Sequence, residues 1–150
     1  MIAAVQRVSS ASVTVGGETV AAIDRGLLVL VGVERGDGPA DVSYIAGKIQ
    51  GLRVFDAEPD KSFHQCVQDI GGSVLVVSQF TLAADCRKGR RPSFDGAAPP
   101  DIARPLYESL TLELERAGVR VATGRFQAMM QIALVNDGPV TLLLDSRRRL

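Results

Sequence analysis

Two kinds of hydrophobic spacing divide this chain into strands and helices. Ile2 to Val8 alternates as a strand does, and Ser12 to Ile23 reads as a hairpin folded about the two-residue turn Gly16-Gly17. Leu27 to Val33 is apolar without interruption, the pattern of a central strand covered on both faces. Gly38-Pro39-Ala40-Asp41 opens a helix whose apolar positions Val42, Ile45, Ala46, Ile49 and Leu52 recur at helical spacing. A short strand is expected at Arg53-Val54-Phe55, and the polar stretch from Asp56 to Asp69 reads as a hairpin or a loop. Ser73 to Val77 is the next strand. Ala83 to Pro100 is a long connection rich in Gly, Pro and Arg, of a length that inside a domain is usually functional or mobile. Asp101 to Ala117 predicts a second helix, with Ile102, Leu106, Leu110 and Leu114 on one face and Gly118 as its stop. Val119 to Ala122, Met130 to Val135 and Val140 to Leu144 complete the strands. The expected fold is α+β: one domain over residues 1–150, a mixed, largely antiparallel, barrel-like sheet with two packed helices.

Composition narrows the class. A chain of 150 residues, 46% hydrophobic, is long enough to bury a substantial core without staples. Cys66 and Cys86 stand at no metal-ligand spacing, and Met1-Ile2-Ala3-Ala4 begins no signal-peptide pattern, so a reduced, cytoplasmic protein is expected. The longest apolar run is too short to span a bilayer, and no membrane partner is expected. Formal net charge is +0, so no global basic field advertises DNA or RNA binding; any RNA contact must be local. The local candidate is Arg87-Lys88-Gly89-Arg90-Arg91, whose cations Arg87, Lys88, Arg90 and Arg91 could grip RNA phosphates, with a solvated loop as the alternative. Arg147-Arg148-Arg149 reads as a disordered tail with some accessory contact.

Two segments place polar atoms where a strand pattern stops. Ser78-Gln79-Phe80-Thr81-Leu82 follows Val74-Leu75-Val76-Val77 and delivers hydroxyls, an amide and backbone donors at a strand's carboxyl end. Gly138-Pro139, within Asn136-Asp137-Gly138-Pro139-Val140-Thr141, interrupts two strand-like runs and predicts a stiff turn. The only histidine, His64, lies in a polar stretch away from both, so no Ser-His-Asp or Cys-His arrangement can be assembled. Zinc ligands do not cluster, no cofactor is implied, and Cys86 is a lone thiol without a base. Taken alone, Ser78 and Thr81 would be strand-end caps and Gly138-Pro139 a tight turn.

Together with Val5-Gln6-Arg7-Val8, the apolar run Gly26 to Val33, Lys48-Ile49, Leu52 to Phe55, Arg90-Arg91-Pro92-Ser93-Phe94 and Gly138 to Ser146, the two segments resemble the D-aminoacyl-tRNA deacylase family over nearly the whole chain. That resemblance implies a homodimer that hydrolyses the ester of D-aminoacyl-tRNA as chiral proofreading in translation. It implies a catalytic segment at Ser78, Gln79, Phe80 and Thr81, and a Gly-cisPro chiral filter at Gly138 and Pro139 reaching into the partner subunit's site. Phe126 and Met130 match pocket positions, although such side chains in strands are more often plain core, and Arg7 either braces the Gly-Pro turn or makes an exposed salt bridge.

An aminoacyl ester is already activated and has a vicinal 2′-hydroxyl, so hydrolysis needs positioned water and oxyanion donors rather than a protein nucleophile. The backbone N–H groups of Phe80 and Thr81 are the natural donors. Thr81 Oγ, without a base, suits positioning better than covalent attack. A backbone filter would exclude an L side chain and pass glycine by size, which makes glycyl-tRNA a further implied substrate. The chain departs from the family pattern at Gln127, where a small glycine is common, at Met129, usually acidic, and at Ser62 to Cys66, in a loop near the site. The residues also fit two other readings: a small RNA-binding module without catalysis, or an editing hydrolase for L-aminoacyl-tRNA.

Overall fold

One strand organises the sheet. In the computed structural model, which describes residues 1–150, β1 (Ile2–Val15) pairs antiparallel with β2 (Glu18–Ile23), β3 (Gly26–Gly32) and β6 (Gln131–Asp145). Beyond β3 the sheet continues in parallel through β4 (Ser73–Ser78) to β5 (Arg120–Thr123). Helices α1 (Pro39–Gly51) and α2 (Pro100–Arg116) complete the α+β fold, a nearly closed barrel-like mixed sheet with two helices.

Continuous apolar sequence in β3 and β4 feeds two cores, because successive side chains of a strand point to opposite faces. Leu27, Val29, Val31, Val74 and Val76 pack against Val42, Ile45, Ile49, Leu110 and Leu114 of the helices. Leu28, Leu75 and Val77 turn the other way and meet Val8, Ala11, Val13 and Ile23 inside the curled sheet. Helix α1 starts as its sequence signals, with Pro39 in the first turn and the Asp41 carboxylate accepting from the Gly38 N–H at 2.9 Å. In α2 the buried stripe is Ala103, Tyr107, Leu110 and Leu114, whereas Ile102 is 48% exposed. The expected stripe is therefore off at its first member: the start of α2 rims a cavity, and Ala103 faces that cavity in place of Ile102.

Three expectations change at the level of the backbone. Ser9 and Ser10 break the apolar alternation but not the strand, since β6 supplies ladder partners from Ile2↔Asp145 to Thr14↔Gln131. Gly138-Pro139 does not separate two strands but lies in a bulge within β6: Gln6 and Val8 of β1 pair with Thr141 and Asn136, leaving residues 137–140 opposite Arg7 alone. The Gly138-Pro139 peptide is cis. Arg53-Val54-Phe55 is no strand; only Phe55 forms a bridge, to Gln65, which closes the first part of the Asp56 to Asp69 loop, residues 56–64. The connection from Ala83 to Pro100 is tied down by the Asp85↔Ser93 and Glu34↔Ala97 bridges.

The C-terminal arginines are not a disordered tail. The Met1 ammonium lies 2.8 Å from Asp37 Oδ2 and 3.4 Å from Glu34 Oε2. Arg149 Nε donates to Asp145 Oδ2 at 2.6 Å and its Nη1 to Glu34 Oε1 at 3.1 Å, while Arg147 reaches Asp37 Oδ1 at 2.9 Å. Glu34, Asp37 and Asp145 are buried, and buried carboxylates require cations. Hydrogen bonds from Arg149 hold Asp145 well below the usual carboxylate range, and one from Ser146 Oγ does the same for Asp41. Burial works to raise Glu34, but its bonds to Arg149 and the N-terminal charge outweigh it and the net direction is down.

Candidate active site

The first polar segment is placed by the parallel pair β3 and β4. Ser78 ends β4 in register with Val31, and the Gln79 N–H donates to Val31 O at 2.7 Å before the chain turns into a 3₁₀ helix, Phe80–Ala83. Gly32 lets this turn sit against β3: a Cβ there would stand 2.9 Å from Leu82 Cβ and 3.0 Å from Gln79 O. The first turn bond is Leu82 N–H to Gln79 O at 3.2 Å, so the N–H groups of Phe80 and Thr81 lie ahead of the helical ladder, where a helix start has donors to offer. Gln79 Nε2 donates to Thr81 Oγ1 at 2.6 Å. No acid, histidine or lysine joins that pair.

A cavity of about 720 Å³ opens beside the turn. Ser78, Gln79, Phe80, Thr81, Phe126 and Met130 all line it, so six of the residues singled out from sequence meet in one place. Val77, Phe94, Ala98, Ala103 and Ile132 make much of its remaining wall apolar. Phe80 and Phe94 meet edge to face at 5.1 Å between centroids, both exposed at the mouth. No lining residue is an Asp, Glu, His, Cys, Lys, Arg or Tyr.

Comparison with known proteins assigns the chain to a family. The family model described as D-Tyr-tRNA(Tyr) deacylase matches residues 4–145. The chain belongs to that family. It is 60% identical over 97% of its length to a D-aminoacyl-tRNA deacylase of Roseiflexus sp. (strain RS-1), covering 94% of that relative. It is 57% identical over 99% of both chains to one from Syntrophobacter fumaroxidans. Among solved structures it is similar to the c-Myc DNA Unwinding Element Binding Protein, with a TM-score of 0.90, 42% identity, and 97% and 98% of the two chains covered. A probable eukaryotic D-amino acid tRNA deacylase shares the fold at a TM-score of 0.81 and 17% identity, with 95% and 97% covered.

The second segment of this deacylase-family chain lies elsewhere. Arg7, Gly138 and Pro139 do not line the cavity. Ile132 does, and Gly138 is six residues farther along β6, roughly 20 Å at strand spacing. The bulge is braced from both ends. Arg7 Nε donates to Asp137 O at 2.9 Å and Nη1 to Val54 O at 2.7 Å, while Asn136 Oδ1 accepts from the Val140 N–H at 2.8 Å. Arg7 thus holds the turn through a main-chain carbonyl and also sits 3.5 Å from the Asp137 carboxylate. Gly138 has φ +131°, and a Cβ there would meet Val140 Cγ2 at 2.8 Å and Arg7 Nη2 at 3.0 Å, so the position admits glycine alone.

The basic segment forms the tip of a hairpin closed by Asp85 N–H to Ser93 O at 2.8 Å and the return bond at 2.9 Å. Arg87 is engaged by Asp85 through Nε at 2.9 Å and Nη2 at 2.7 Å, and these bonds hold the Asp85 carboxyl well below its usual range. Lys88, Arg90 and Arg91 are exposed. Sequence reasoning missed Arg104, which lies over the Phe126 ring at 4.7 Å, and Tyr107, which packs on the same ring at 5.8 Å. Helical periodicity marks Tyr107 as apolar-facing but gives no sign that an exposed arginine borders a site. Gln127, noted as a departure, lines the cavity with φ +62°.

Proposed function

We propose that this chain hydrolyses the ester bond of D-aminoacyl-tRNA, releasing amino acid and tRNA, and removes glycine from glycyl-tRNA by the same route. The carrying observation is a cavity of about 720 Å³ lined by Phe80 and Thr81, whose N–H groups lie ahead of the helical ladder, and by no ionisable side chain. With Thr81 Oγ bound only by an amide, there is no base to make it a nucleophile. The remaining chemistry is positioning: the two N–H groups stabilise the developing oxyanion, an effect worth about 2.7–4 kcal/mol per donor in hydrolases, while water attacks with the RNA 2′-hydroxyl beside it.

Selectivity for the D centre is the finer part of this reading. A main-chain wall at Gly138 and Pro139 would collide with an L side chain, but in one chain it lies well away from the cavity. We therefore assign it to the cavity of a second copy. The outer edge of β6 is unpaired, and Leu134, Val135 and Leu143 on that strand are exposed, which supports a homodimer formed along β6. Lys88, Arg90 and Arg91 would meet backbone phosphates of the acceptor end. No helix of the structure is long and apolar enough to cross a membrane.

The test is turnover of D- and L-tyrosyl-tRNA and glycyl-tRNA by the purified protein without added metal. D-tyrosyl- and glycyl-tRNA should be deacylated at least tenfold faster than the L ester. Binding without turnover would make the chain an RNA-binding module, and preference for the L ester would make it an editing enzyme. Either outcome overturns the reading.

A further inference from the structure

Arg104 borders the cavity without being claimed by anything else. On α2 it has a carboxylate one turn to either side, Asp101 and Glu108, the spacings at which helical ion pairs form. Neither pair forms. The guanidinium instead lies over the Phe126 ring at 4.7 Å, with Nη2 3.5 Å from Gln127 Oε1, and both of those residues line the cavity. An exposed arginine that forgoes two nearby acids for the rim of a cavity leaves its charge uncompensated there. The aromatic ring beneath gives the guanidinium a cation–π contact that restrains it, and a restrained planar fork suits bidentate phosphate binding.

We propose that Arg104 is a phosphate-binding residue of this site, taking the 5′-phosphate of the terminal nucleotide whose ribose carries the ester. The inference rests on the deacylase reading above. Phe126 lines the same cavity as Phe80 and Thr81, so a nucleoside whose ester carbonyl is held by those two residues has Phe126 as one wall of its site, and Arg104 is the cation that lies over that wall. The alternative cation by sequence, Arg87, is already committed to Asp85, and Lys88, Arg90 and Arg91 ride the tip of a hairpin that suits phosphates farther along the strand.

The test compares the D-tyrosyl esters of adenosine and of adenosine 5′-monophosphate, alongside D-tyrosyl-tRNA. For the wild-type protein, KM for the phosphorylated ester should be about five- to tenfold lower, as one charge-assisted contact gives. In Arg104→Met, which keeps a long side chain over Phe126, that ratio should fall to near one, and Arg104→Lys should recover part of it. On tRNA, the logarithmic salt slope should shrink by about 0.7, one single-strand phosphate contact. An undiminished ratio in Arg104→Met, or KM raised equally for both esters, overturns the assignment and leaves Arg104 a prop for Phe126. Turnover of tRNA with no gain from the 5′-phosphate in the wild type overturns it as well. Hydrolysis of none of the three substrates refutes the deacylase reading itself.

Discussion

Replacing Arg7 by methionine should uncouple the β6 bulge from the rest of the fold, and the size of the effect can be worked from two hydrogen bonds. Arg7 is 11% exposed and donates to Asp137 O at 2.9 Å and to Val54 O at 2.7 Å. Hydrogen bonds from a charged donor contribute about 1.5–3 kcal/mol each. Its ion pairs, 3.5 Å to Asp137 and 3.8 Å to Asp56, involve carboxylates about half exposed and add little. Methionine fills the stem's volume, and water satisfies the Asp137 carbonyl in part, so we expect a loss of about 3 kcal/mol. For a chain of this length that lowers Tm by roughly 6–12 °C. Urea denaturation at pH 7 reads the stability directly, and deacylation of D- and L-tyrosyl-tRNA reads the consequence for discrimination. With its brace gone, the Gly138-Pro139 wall should yield, and the D-to-L rate ratio should fall at least tenfold. Arg7→Lys, which offers no fork to two carbonyls, should restore little of either. A stability loss under about 1 kcal/mol would refute the hydrogen-bond accounting. A normal loss with an unchanged D-to-L ratio would show that the braced bulge does not read chirality.

Two further outcomes are expected. The depressed carboxyls of Glu34, Asp41 and Asp145 contribute stability that is present above the unfolded carboxylate range near 4 and lost as pH falls through their lower folded values, so urea midpoints should drop from about pH 5 downward. Asp145→Asn should lower the midpoint at pH 7 and flatten that acid dependence; an acid slope equal to the wild type's would remove the network as its cause. In the basic hairpin, alanine at Lys88, Arg90 and Arg91 together should raise KM for tRNA and flatten its salt dependence, while Arg87→Ala alone should do less, because Asp85 already neutralises Arg87. Equal effects per residue would contradict that ranking.

The sequence was most informative where side-chain periodicity and main-chain pairing coincide. β3, β4 and the buried face of α1 were legible because they are covered on both faces or on one continuous stripe. Ser9-Ser10 and Gly138-Pro139 misled because polarity and proline report on side chains and local φ, whereas strand continuity there is set by a partner distant in sequence. The arginines at 147 and 149 misled for a related reason: a charge run looks solvated until buried carboxylates from residues 34, 37 and 145 are known to surround it. Six residues named from the resemblance line one cavity, yet Arg104 was invisible, since nothing in a helix repeat distinguishes a free cation from one that has turned toward a cavity.

The pairing of β1 with β6 also sets a constraint on how the chain is made. Residues Ile2 and Asp145 are partners 143 positions apart, and β6 begins 116 residues after β1 ends (131 − 15). At ribosomal rates of about 5–20 residues per second, one full edge of the longest early strand waits roughly 6–23 s for its partner to be synthesised. During that interval β1, β2 and β3 can form only an open sheet with an unpaired apolar margin, the kind of margin that recruits other chains. Newly made copies lying side by side on a polysome would therefore expose the same adhesive strand together. Their yield should depend on how quickly the last fifteen-residue strand arrives more than on the stability of the finished fold.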